Sequence, residues 1–158
     1  MAEPDIVEQI KAVLSGVSGM GVVHGYQRLA TSWGKVLDLF KDDEEKINAC
    51  CISRSGIFTR QATVGEAELA YLFSVRFYMG LKDGTATERV FQALLDDVVD
   101  ALIINDTLNG ACETTHPDWG PMSGAAGLQV ETIDHRMFGN VLCHFAEGKI
   151  CTITSTDI

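Results

Sequence analysis

The stretch LAYLFSVRFYM, Leu69 to Met79, decides the fold. Its odd positions, Leu69, Tyr71, Phe73, Val75, Phe77 and Met79, are apolar, while Ser74 and Arg76 fall between them. That is the two-residue period of a strand with one buried face. Gly80, Asp83 and Gly84 break the pattern. Thr85-Ala86-Thr87-Glu88 then has the spacing of a capping box, which predicts a helix starting at Thr85 and running to Asp106. Phe91, Leu94, Leu95, Val98 and Leu102 form its apolar stripe, widened by Val90 and Val99, with Arg89, Gln92, Asp96 and Asp100 on the other side. Each element needs one partner surface, and the simplest partner is the other. Burial stabilises by roughly 1.5–3 kcal/mol per large side chain before chain entropy is subtracted, so this pair is the expected core.

Outward from that core, Pro4 to Ser15 reads as a first helix with Ile6, Ile10, Val13 and Leu14 on one face and Asp5 and Glu8 at the favourable end of its dipole. Gly21 to Arg28 reads as a strand through the alternation of Val22, His24 and Tyr26. Thr31-Ser32 can cap a short helix carrying Trp33, Val36, Leu37 and Phe40. The acids Asp42-Asp43-Glu44-Glu45 directly after it oppose its dipole and read as a solvated loop.

Ile47 to Arg54 is a second strand. The connection from Ser55 to Glu68 reads as a long loop with Gly56, Gly65, exposed Ile57 and Phe58, and a local excess of Arg54 and Arg60. In a chain this acidic, that mixture stands out, and it reads either as a flexible loop or as a docking loop in which Arg54, Ile57, Phe58 and Arg60 order against a partner. Asn105 to Gly110 is a turn, and Thr114 to Gly127, with Pro117 and Pro121, is irregular. Leu128–Ile133 and Val141–Thr154 are the last strands, joined by a turn from Asp134 to Asn140, with Gly148 marking a bulge. Paired consecutive strands favour an α+β fold: an antiparallel or mixed sheet of about five strands with helices on one face.

The 158 residues are one domain's worth of chain, expected as a single unit over 1–158. Their formal charge of -10 opposes nonspecific attraction to nucleic acid or anionic lipid. No apolar run approaches the roughly 20 residues of a membrane span, and the acidic start is unlike a signal peptide, which predicts a cytoplasmic protein. Five cysteines, an odd number, fit a reducing compartment without a disulfide framework.

No sequence pattern demands chemistry. There is no C-x-x-C or H-E-x-x-H, and Cys143 and His144 are neighbours that point to opposite faces of a strand, so no metal site is expected. Gly124 to Gly127 lacks the lysine of a phosphate loop and leads into a strand, so no nucleotide cofactor is expected either. Cys143 with His24, His116 or His135 is the one conceivable nucleophile, and no G-x-S-x-G-type signature accompanies it. Trp33 and Trp119 read as packing aromatics, and Arg136 as the partner of Asp134.

The segment Gly127-Leu-Gln-Val-Glu131 followed by Arg136-Met-Phe-Gly-Asn-Val-Leu-Cys-His-Phe-Ala-Glu147 resembles the tail terminator (tail completion) proteins of long-tailed phages and prophages. Tyr26-Gln-Arg28 with Trp33 and Leu37-Asp-Leu-Phe40, and Phe77-Tyr-Met-Gly-Leu81 with Phe91-Gln-Ala-Leu94, extend the likeness over roughly residues 6–153. The resemblance implies a structural subunit without catalytic residues. Such subunits form a ring, usually a hexamer, that caps the tail tube and joins it to the head-side connector. The ring sits in the neck of the virion after assembly in the host cytoplasm, and phage DNA passes through without specific binding. Identical subunits would meet through sheet edges and the Arg136 to Asn140 turn, with Arg136, Met137 and Phe138, while the Arg54–Arg60 loop engages tube or connector. A head-tail adaptor of the same neck and a cysteine-dependent enzyme are the alternatives.

Overall fold

The computed structural model describes residues 3–26, 38–41, 46–81, 86–138 and 141–157. Its elements are α1 (Glu3–Ser15), β1 (Val22–His24), β2 (Asn48–Thr63), β3 (Glu66–Gly80), α2 (Thr87–Ile104), β4 (Gln129–Phe138) and β5 (Val141–Asp157). The strands form one sheet in the order β1-β2-β3-β5-β4. β1 is parallel to β2, and every other pairing is antiparallel. The fold is therefore α+β with a mixed five-stranded sheet.

β3 lies at the centre and pairs along its whole length with β5, from Glu66↔Asp157 to Gly80↔Cys143. Its odd residues carry the main core: Phe73, Val75, Phe77 and Met79 pack with Ile6, Ile10 and Leu14 of α1 and with the α2 stripe Phe91, Leu94, Leu95, Val98 and Leu102. Both helices thus cover the same side of the sheet. The other side is not left to solvent, because Ala70, Ser74 and Tyr78 of β3 are also buried. Phe40 stacks on Tyr78 at 4.9 Å in a second cluster with Ala49, Cys51 and Phe145. Beyond α2 the chain runs beside β5 through paired Thr114 and Ile153, and Trp119 and Met122 then cover Ala70, Cys151 and Ile153. The strand expected to have one buried face has two, and the vicinal Cys50 and Cys51 point into different cores.

Three expectations are corrected. Ser55 to Glu68 is not a loop: β2 and β3 continue as a hairpin to Thr63↔Glu66, turning at Val64-Gly65, where Gly65 takes φ +89. Pairing with β3 supplies the order that the local sequence does not advertise, and Ser55 is accommodated where the register shifts between Arg54 and Gly56. Asp134 to Phe138 is likewise strand, so Arg136, Met137 and Phe138 lie on β4 and not in a turn. Finally, α2 starts at Thr87 with Ala86 as N-cap at φ 53 and no side-chain cap bond, so no capping box sets its start. The Thr87 hydroxyl instead shares a 2.8 Å hydrogen bond with His144 Nε2, a tertiary contact in place of a local one.

The bulge expected at Gly148 falls opposite it, between Val130 and Thr132 on β4. A Cβ at Gly148 would come within 2.9 Å of the Gln129 carbonyl oxygen, so the two backbones approach closely there. The expected helix around Trp33, the acids at 42–45, Thr85 and the 139–140 tip lie outside the described residues, apart from helical Asp38 and Leu39.

Phe77→Ala should cost about 3–5 kcal/mol in urea unfolding, because a fully buried ring leaves a cavity facing α2. Val90→Ala, on the exposed side of α2, should stay within about 0.5 kcal/mol.

Candidate interaction surface

The β2–β3 hairpin extends well past the last residues that the helices cover, because the strands are 16 and 15 residues long. From Arg54 to Thr63, β2 is exposed at every position except half-buried Gly56. Alternation splits the four proposed docking residues between two faces. On the helix side, the Arg54 guanidinium lies 5.6 Å from the Tyr71 ring centre, and Ile57 pairs with Tyr71 and is 50% exposed. On the opposite side, the Phe58 ring covers Gly56, where a Cβ would meet it at 2.8 Å.

Arg60 shares the Phe58 face. It is held over Trp119 at 4.8 Å, with Glu68 at 3.0 Å and Asp118 at 3.8 Å. Trp119 Nε1 donates to the same Glu68 carboxylate at 3.2 Å. These groups hold Arg60 in place as part of a built surface. The pairs are solvated, so they add positional order more than stability.

The second patch lies on β4, at the opposite edge of the sheet. Ile133 and Met137 point to the helix side, 50% and 58% exposed, beside exposed Leu142 of β5. Between them stands His135, its ring 5.2 Å from buried His144, which in turn stacks on Phe91 at 5.5 Å. On the other face, Arg136 sits 3.9 Å from the Phe145 ring centre, a contact made with an aromatic ring instead of the expected Asp134. Phe138 meets Tyr78 edge-on at 4.7 Å and belongs to the second core more than to the surface.

The two groups of proposed residues are therefore not brought together. β3 and β5 lie between them, and they occupy opposite edges of one sheet. From sequence His135 stands out only as a conceivable base for Cys143 and Ile133 only as the end of a strand, and neither they nor Leu142 are placed in a contact surface, although the alternation of Ile133, His135 and Met137 is there to be read. The Arg60–Trp119–Glu68 group joins the β2–β3 hairpin to the distant segment around Trp119, and no local signal announces it.

Electrically the helix layer is acidic, with exposed Asp5, Glu8, Asp96, Asp97 and Asp100 against Lys11 and Arg89. The cysteines are buried, and burial pushes the thiols of Cys143 and Cys151 up to about 11 and that of Cys112 to about 12. Cys143 points away from the face that carries His135 and His144. The geometry thus gives that thiol no adjacent imidazole from the histidine pair and no thiolate character near neutral pH. Among the described residues no group of three or more metal-ligating side chains occurs, and no helix is long and apolar enough to cross a membrane.

No protein-family model and no curated protein matches the chain.

Burial first, and the His135 ring second, lowers the His144 pKa below the ordinary imidazole value, against an opposing effect of Glu88. The unfolded chain therefore takes up this proton before the folded one does. The stability linked to His144 is complete above about pH 6.5 and declines as the pH falls below it. Unfolding measured from pH 7.5 to 5 should show that decline, and His144→Phe, which keeps an aromatic ring against Phe91, should flatten it.

Proposed function

We propose that this chain is a structural subunit that assembles with copies of itself into a ring closing the tail tube of a long-tailed phage and joining it to the head-side connector. The observation that carries the reading is the pair of exposed apolar patches at opposite edges of one sheet, Ile57 with Phe58 on β2 and Ile133 with Met137 on β4. Two different patches on one subunit suit heterologous contacts, and these close into rings when the rotation between neighbours allows it. Ring geometry also gives the acid-rich helix layer a use. Acidic walls around a channel would let DNA pass without adhering. The site in this reading is a contact surface without cofactor or catalytic group, and the hexamer implied by the sequence likeness is the expected size. Its place would be the neck of the virion.

Negative-stain images and native mass spectra of the purified protein should show annular particles and a single dominant oligomer. Monomer at every concentration, with or without tube protein, would contradict the reading. Replacing Arg54, Ile57, Phe58 and Arg60 together by Ser should abolish assembly while thermal stability changes little, since all four lie on the exposed part of β2 and outside the buried core clusters. A large loss of stability would instead make the arm part of the core.

A further inference from the structure

The edges of the sheet are unequal, and their differences are complementary. On one side, β1 covers β2 only at Ala49 to Cys51, so among the described residues the outer edge of β2 from Ser53 to Thr63 has no strand beside it. At the other side, β4 pairs with β5 through one edge, and among the described residues its outer edge is unpaired from Gln129 to Phe138. Each open edge offers a row of backbone N–H and C=O groups that can accept another strand. We infer that the open edge of β2 receives β4 of a second copy, antiparallel and head to tail, so that one sheet continues from subunit to subunit. This pairing rests on the ring reading above and specifies its contact.

Direction is the first argument. Three successive antiparallel pairings separate β2 from β4, so the two run in opposite senses within one subunit. When two copies stand side by side in the same orientation, β4 of one meets β2 of the next antiparallel, as a ladder of this kind requires.

Length and charge agree with that. β4 has 10 residues, and the free part of β2 from Ser53 to Thr63 accommodates a ladder of that length. β2 carries no acid and has Arg54 and Arg60, whereas β4 presents two exposed acids, Glu131 and Asp134, and one exposed base, Arg136. Joining the two edges places opposite charges near each other, and Ile57 and Ile133 both face the helix side of the continued sheet. Pairing the β2 edge with its own copy would bring arginine to arginine.

The test uses full-length chains with one added thiol each, Ile57→Cys and Ile133→Cys, and a short bismaleimide; the native cysteines are buried and react slowly. A mixture of the two variants should give covalent dimers, and the double variant a ladder of higher multiples. Either single variant alone should give none. Cross-linking by Ile133→Cys alone, or assembled particles in which the double variant forms no ladder, would overturn the pairing and leave the ring standing. Monomers alone in native mass spectra of the unmodified chain would overturn both.

Discussion

The structure depends on β3 being sandwiched. A strand hydrogen-bonded on both edges and buried on both faces needs side chains that can leave water on either side, and β3 supplies Phe73, Val75 and Phe77 on one and Ala70, Ser74 and Tyr78 on the other. Two helices cover the first side, while Phe40 and the segment around Trp119 cover the second. A one-residue slip would turn every buried side chain of β3 to the other face, so the clamped strand fixes the register of the long β2–β3 hairpin. The bulges near Arg54 and Gln61 are fixed along with it.

From that clamp follows the division of labour in the molecule. The central strands are finished: their backbone groups are paired and their faces closed. The outer strands are less complete: among the described residues their outer edges have no strand beside Ser53–Thr63 or Gln129–Phe138, and isoleucine, methionine and phenylalanine are exposed there. Natural sheets usually blunt such edges with lysine, proline or covering loops. β2 and β4 have no lysine or proline, and their protection is limited to a few charged side chains and to the bulges at Arg54/Gly56, Gln61/Thr63 and Val130/Thr132.

Much of the centre was legible in the sequence because there local period and tertiary burial agree. The five α2 residues that the helical period selects, Phe91, Leu94, Leu95, Val98 and Leu102, are the five that are buried. Legibility failed where tertiary partners decide. Arg-Ser-Gly-Ile-Phe-Thr-Arg (54–60) is exposed on both faces, so it has no one-sided alternation to read, and it is strand because β3 continues beside it. Thr85 to Glu88 has a local capping pattern, yet the helix starts at Thr87, whose hydroxyl is engaged by His144 from a distant strand. Of the proposed contact residues, Ile57, Phe58 and Met137 are exposed as expected, whereas Phe138 is drawn into the second core by Tyr78 and Phe40.

The central claim is that open strand edges become paired when copies meet. Hydrogen exchange of the backbone amides of Ser53–Thr63 and Gln129–Phe138, followed by mass spectrometry in dilute and in concentrated protein, tests it most directly. The account predicts that both segments gain protection together as the oligomer forms, while the already paired β3 stays protected throughout. Particles that assemble while both edge segments keep exchanging at their dilute rate would contradict it.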